Sequence, residues 1–292
     1  MSQNNAGLPA GIPNIPMSNM SGLNRELHQV PLDILPSKGV PYPKNIEILV
    51  APIRIRERRQ LEGATQATYY EKLLEGIQIN GGMFDKKKLL LADVQFLDLV
   101  RRIHSFDLDK DIVAKDYTCN HCGEKNDVEF KFTDIEFEDF PLDIFETVKK
   151  GTNDETGETI EIKYPGKVYK FSDGLEVVAA PLTVGEYIQL AIKYLSNISE
   201  KNMQNKIADV YIAQFAYLIK KVIGQEFISD DFRHKFICDY VSNLYKVEDE
   251  RILDNIEHDT TVSIVPIKRV CNECGELMEV YVQASLTFQQ EV

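Results

Sequence analysis

The 292-residue sequence has no apolar run of the roughly 20 residues that a membrane-spanning helix requires. That excludes a spanning helix. Its opening stretch, MSQNNAGLPAGIPNIPMSNMSGLN, lacks both a basic start and an apolar h-region, so it is not read as a secretory signal. A reducing compartment is therefore expected, with structural disulfides unlikely to persist. Basic charge is in deficit: 33 Lys and Arg stand against 46 Asp and Glu, a net charge of −13. Such a surface repels a phosphate backbone and disfavours non-specific nucleic-acid binding. The one local basic run, Lys86 to Lys88, reads as a solvated helix start. Acids cluster between Asp134 and Glu161, which reads as an exposed rim or linker. There is no G-x-S-x-G, P-loop, dinucleotide fingerprint or H-E-x-x-H, and the five histidines (28, 104, 121, 234 and 258) are scattered. No pair of carboxylates stands out. A non-enzymatic protein is expected.

What the sequence does have is one short phrase written twice. TCNHCGEKNDVEF and VCNECGELMEVYV share the pattern C-N-x-C-G-E-x-x-x-V, with pairs Cys119/Cys122 and Cys271/Cys274 separated by residues 123–270. A C-x-x-C-G turn presents two thiolates to one tetrahedral metal, and its glycine supplies the positive φ that ends the turn. One turn is half a zinc site. Two make a closed four-cysteine shell, so a single structural Zn2+ on Cys119, Cys122, Cys271 and Cys274 is expected. Each turn sits between strand-like flanks, as in a zinc ribbon, and Val128 and Val280 would hold equivalent places on the outgoing strands. Closing so long an intervening loop adds little entropy, because the cost grows with the logarithm of length. Two redox dithiols, two separate metal sites and a metal-free ribbon remain as alternatives. The His121 side chain is expected to point away from the metal. Cys238, among Phe236, Ile237 and Tyr240, reads as an inert packed thiol.

The pattern along the chain is α+β: a split four-cysteine zinc ribbon with a long β-meander plus helical insertion, preceded by a strand–helix–helix segment. Residues 1–28 read as an arm with little to bury. Residues 29–113 hold a turn-rich, proline-rich entry, a strand near Ile46 to Val50, and a helix from about Glu57 that continues through Tyr69, Leu73 and Ile77. A second helix there carries Leu90, Val94, Leu97 and Ile103 as its apolar stripe. Its charges, Asp93, Asp98, Arg101 and Arg102, read as surface or packing groups, with Asp98 correctly spaced for Arg101 or Arg102. Residues 114–140 and 260–292 are the two ribbon halves. Residues 141–182 form the meander, with turns at Pro165-Gly166 and Asp173-Gly174. Residues 183–259 form the helical insertion, opening on a Thr183 to Glu186 capping box. One helix there is expected to run through Ile219 to a C-cap at Gly224.

Four segments in order, LPSKGVPYP, IEILVAPIRIRE, LEGATQATYYEKLLEG and LLADVQFLDLVRRIHSF, carry a likeness to a known family. LPSKGVPYP supplies Leu35, Pro36, Ser37, Gly39, Tyr42 and Pro43, and LLADVQFLDLVRRIHSF supplies Asp93, Leu97 and Arg101. In this order, followed by a cysteine-pair phrase, they resemble the baseplate hub and hub-assembly proteins of T-even-like contractile-tailed bacteriophages. The likeness covers about residues 30–140 and the final cysteine ribbon. It implies a non-enzymatic role in building the tail baseplate hub, as a virion component or as an assembly chaperone. The implied partners are other baseplate hub proteins, with no small-molecule substrate and no membrane. The implied location is the host cytoplasm during assembly, or the virion tail. The arm and the proline-rich entry are then expected to dock on a hub partner. The rival class is a zinc-ribbon adaptor in transcription or RNA handling; Lys268 and Arg269 offer it a little basic charge, but the acidic stretch DVEFKFTDIEFEDF argues against it.

Overall fold

The computed structural model describes residues 17–18, 27–105, 112–152, 159–195 and 203–281. Most of the expected arm, residues 1–16 and 19–26, lies outside the described residues.

The first body begins with β1 (Met17–Ser18), β2 (Leu27–Val30) and β3 (Glu47–Val50). α1 (Ile55–Glu62), α2 (Gln66–Glu75) and β4 (Ile77–Asn80) follow, then α3 (Leu91–Ile103). The four strands form one antiparallel sheet in sequence order. Ile48, Leu73, Ile77, Val94 and Leu97 form the core between sheet and helices. The helix expected to continue from Glu57 breaks in two. Gly63 ends α1, and Thr65 starts α2 by accepting a hydrogen bond from the Thr68 N–H (3.3 Å). Glycine is a poor helix former and threonine a good N-cap, so local chemistry favours the break.

The cysteine phrases lie in two hairpins, β5 (Ile112–Thr118) with β6 (Lys125–Phe130), and, at the far end, a pair described below. Between them come β7 (Thr147–Thr152), β8 (Thr159–Tyr164), β9 (Lys167–Lys170) and β10 (Glu176–Ala179). These do not make the continuous meander expected. β7 pairs with β8, whereas β9 pairs with β10 in another sheet. The change of sheet falls at Gly166 (φ 153°), where a Cβ would lie 2.5 Å from the Ala179 carbonyl oxygen. Only glycine lets the chain pass so close to β10.

The helical part comprises α4 (Val184–Leu190), which runs into a π turn at Ala191–Leu195, then α5 (Met203–Leu218), α6 (Asp230–Ser242) and α7 (Val247–Thr260). The capping box at the start of α4 is formed: Thr183 Oγ1 accepts from the Glu186 N–H (3.2 Å), and Glu186 Oε2 accepts from the Thr183 N–H (2.8 Å). α5 stops short of Gly224. Its continuation, β11 (Ile219–Val222), pairs antiparallel with β10. Ile219 and Val222 are buried in this second core with Phe171, Val177, Phe215 and Ile256. A β-branched pair flanking two lysines suits a strand, and the edge of β10 supplies the ladder that the sequence alone does not reveal. Cys238 packs against this core, and burial pushes its thiol upward from its ordinary value. No helix among the described residues is long and apolar enough to cross a membrane.

Candidate metal centre

The last strands, β12 (Ile267–Val270) and β13 (Leu277–Val280), form the second cysteine hairpin. Its turn repeats the first bond for bond. Cys119 donates its N–H to the Glu124 oxygen (2.8 Å), as Cys271 does to Glu276 (2.9 Å). Gly123 donates to the Cys119 oxygen (2.9 Å), as Gly275 does to Cys271 (3.0 Å). Both glycines have positive φ, 78° and 73°. A side chain at either would meet no neighbouring atom within 4 Å, so the requirement is backbone conformation and not space. Val128 and Val280, each the fourth residue of its outgoing strand, are both buried in the shared core of the hairpins.

The two turns face one another. Cys119 Sγ lies 3.8 Å from Cys274 Sγ, Cys122 Sγ lies 3.7 Å from Cys271 Sγ, and all four sulfurs fall within 4.8 Å of one another. These separations are far beyond the ~2.05 Å of a disulfide. They match the edges of a tetrahedron, about 3.8 Å, around an ion bonded to sulfur at about 2.3 Å. The four cysteines thus lie within metal-binding distance of a common centre, and the donor set is all soft sulfur. Cys119 and Cys271 are buried, Cys122 and Cys274 exposed. The His121 side chain is exposed and contributes only its backbone N–H, to Cys119 Sγ at 3.4 Å.

Cys122, Cys271 and Cys274 are all shifted from the ordinary cysteine value. The backbone N–H groups of Cys274 and Glu273 draw Cys271 down to about 6. At Cys122 a backbone hydrogen bond from Glu124 acts downward, but burial and the three other thiols outweigh it and push the group up to about 12. One thiolate forms readily and makes the next harder to form. A divalent cation would remove that opposition.

Asn126 was not singled out by the sequence, because an asparagine in a polar strand looks ordinary. It is buried and bridges the hairpins. Its Nδ2 donates to Cys271 Sγ (3.5 Å) and the Glu124 oxygen (3.2 Å), and its Oδ1 accepts from the Asn272 N–H (3.0 Å). The corresponding place in the second copy is Met278, which packs into the core. Elsewhere Tyr117 Oη donates to the Glu279 oxygen (2.6 Å), and Arg269 Nε to the Glu129 oxygen (3.1 Å). The hairpins rest on Leu99 and Ile103 of α3.

α3 also carries the charges expected at the surface or in packing pairs. All are buried. Asp93 accepts from the Ser37 N–H (3.0 Å), Ser37 Oγ (2.6 Å) and Tyr42 Oη (2.5 Å), and Tyr42 Oη accepts from the Leu90 N–H (2.9 Å). Burial nevertheless raises the Asp93 carboxyl above its ordinary value, against these hydrogen bonds. Asp98 pairs with Arg102 (2.9 Å) and accepts from Tyr69 Oη (2.7 Å). Arg101 turns instead to Glu57 and to the carbonyls of Ala51 (2.7 Å) and Leu73 (3.2 Å). Its guanidinium occupies the place where a side chain on Gly76 would begin, 2.0 Å from Nη2. The proline-rich entry is therefore anchored to the body of the protein, with Lys38, Val40 and Pro41 left exposed. Leu35, Ser37 and Tyr42 are buried, and the last two are held by a carboxylate that local sequence could not connect to them.

No curated protein and no solved structure matches the chain. A family model described as T4 bacteriophage base plate protein matches residues 32–287. Within that span lie the proline-rich entry, the carboxylate of α3 that gathers it, and both cysteine turns. A match from the entry segment to beyond the last described strand makes the chain a member of the T4 bacteriophage base plate protein family, with a role in the phage baseplate.

Proposed function

We propose that the protein is a non-enzymatic hub protein of the phage tail baseplate, or a chaperone of hub assembly, and that one structural zinc ion joins its two cysteine hairpins. The family match over residues 32–287 is the observation that carries the baseplate role. The tetrahedral spacing of the four sulfurs supports the metal. Cys119, Cys122, Cys271 and Cys274 would hold it. Bound zinc would supply positive charge to four thiolates and close their shell, leaving no position for a substrate or water. The two hairpins then form a zinc ribbon split by residues 141–259, and its contribution is mechanical. The partners are other baseplate proteins, met through protein–protein contacts during assembly.

Phage carrying an early stop codon in this reading frame should accumulate tails without a complete hub, and a copy supplied in trans should restore them. Complete, infectious baseplates in its absence would remove the proposal. Elemental analysis of protein purified without added metal should find one zinc per chain. A folded chain of unchanged stability that holds no metal would remove the zinc from the account and leave the baseplate role standing.

A further inference from the structure

A groove of about 470 Å³ lies where the entry segment, α3 and the chain leaving the first cysteine hairpin meet. Its floor is apolar: Phe96, Leu99, Val100 and Ile103 of α3, with Ile135 and Phe137 opposite. Its rim is acidic. Asp33, Glu136 and Asp139 are exposed there, against one cation, Lys38, which already pairs with Asp139 (2.7 Å). The backbone adds a third feature. The Glu138 N–H reaches the Ser263 oxygen (2.9 Å), and the Val265 N–H reaches the Glu136 oxygen (2.8 Å). In antiparallel pairing, that turns the N–H and C=O of Phe137, the bridge residue between them, to the opposite edge. The entry segment forms another wall through Ile34 and Pro36, and the Phe140 N–H ties it to this chain at the Pro36 oxygen (3.0 Å).

We propose that this groove receives an extended segment of a partner protein in which a bulky apolar side chain is flanked by lysine or arginine. The apolar floor takes the side chain, the acidic rim takes the flanking charges, and the turned-out backbone of Phe137 offers main-chain hydrogen bonds. Charge complementarity selects this occupant over an acidic one: three carboxylates surround the opening, and the whole chain carries −13. The partner's being another particle protein rests on the baseplate reading; the groove itself does not.

The test uses the full-length protein, zinc-loaded where it binds zinc, and a fluorescein-labelled heptapeptide of alternating lysine and valine with phenylalanine at its centre. Two controls replace every lysine by glutamate, or every apolar residue by serine. The basic apolar peptide should bind, with amide shifts confined to the segments around Leu99 to Ile103 and Ile135 to Phe137. The combined variant Asp33→Lys, Glu136→Lys, Asp139→Lys changes only exposed side chains and should keep its melting temperature while losing at least tenfold in affinity. Absence of binding, equal binding of either control peptide, undiminished binding to the variant, or shifts elsewhere would each overturn the proposal. The glutamate control excludes sequence-blind stickiness, and the serine control excludes attraction by net charge alone. Failure here with baseplate assembly intact removes the groove and leaves the baseplate role untouched.

Discussion

α3 is the site of two fastenings that differ in what completes them. At its N-terminal end, Asp93 gathers Ser37 and Tyr42 from the entry segment. Toward its C-terminal end, Leu99 and Ile103 support the cysteine hairpins. The first fastening is closed within the chain: both carboxylate oxygens meet protein donors, so it depends only on folding. The second brings four sulfurs face to face with no cation from the chain among them. With the zinc proposed above, its closure is conditional on metal and on reducing surroundings. The polar node defines the body; the sulfur node can be opened and closed without rewriting a residue.

The largest effect should come from opening the sulfur node. Cys271→Ser should abolish stoichiometric zinc and lower stability by several kcal/mol, because structural zinc contributes on the order of 10 kcal/mol to small modules. Calorimetry with and without a chelator checks this, and the variant should no longer respond to the chelator. Asp93→Ala attacks the closed fastening. It strands the Ser37 and Tyr42 hydroxyls in the core and should cost about 3 kcal/mol in denaturant unfolding, with zinc content unchanged. Asn126→Ala removes a support of one hairpin that has no counterpart in the other. Competition against a chelating dye should show metal affinity weakened about 10–100-fold with the fold retained. The smallest effect is the pH dependence of Asp93. Its folded value lies above the ordinary 3.8, so the folded state binds the proton more tightly than the unfolded state. Its contribution to stability therefore falls as pH rises from about 3.8 through the raised folded value, and is level beyond it. The difference between wild type and Asp93→Asn, followed by urea unfolding across that window, isolates the slope. A difference that grows with pH would show that the hydrogen bonds to Asp93 outweigh its burial.

The sequence was most legible where the structural cause is local. The C-x-x-C-G turns, the Thr183 to Glu186 capping box and the apolar stripe of α3 depend on residues a few positions apart, and each is present as read. The split of the long helix is not legible from its apolar pattern, which runs across Gly63 and the Thr65 cap without a break. What stayed hidden depends on distant partners. Ile219 to Val222 is helical by continuity and becomes a strand only because β10 offers an edge. β8 and β9 look like neighbours until Gly166 lets the chain pass against Ala179. Arg101 and Asp93 look like the solvated charges of an amphipathic helix, yet their partners lie at Ala51, Leu73, Ser37 and Tyr42. The burial of four charged groups on α3 cannot be recognised from hydropathy, since most of the compensating donors and acceptors come from other elements.

The separation of the two cysteine turns has a consequence for biosynthesis. During translation the leading turn leaves the ribosome long before its counterpart, and everything from Gly123 to Val270 must be made in between. A nascent polypeptide that has not yet reached Cys271 thus carries two thiols without their complement. The four-sulfur cluster is therefore open only to molecules extended past Cys274.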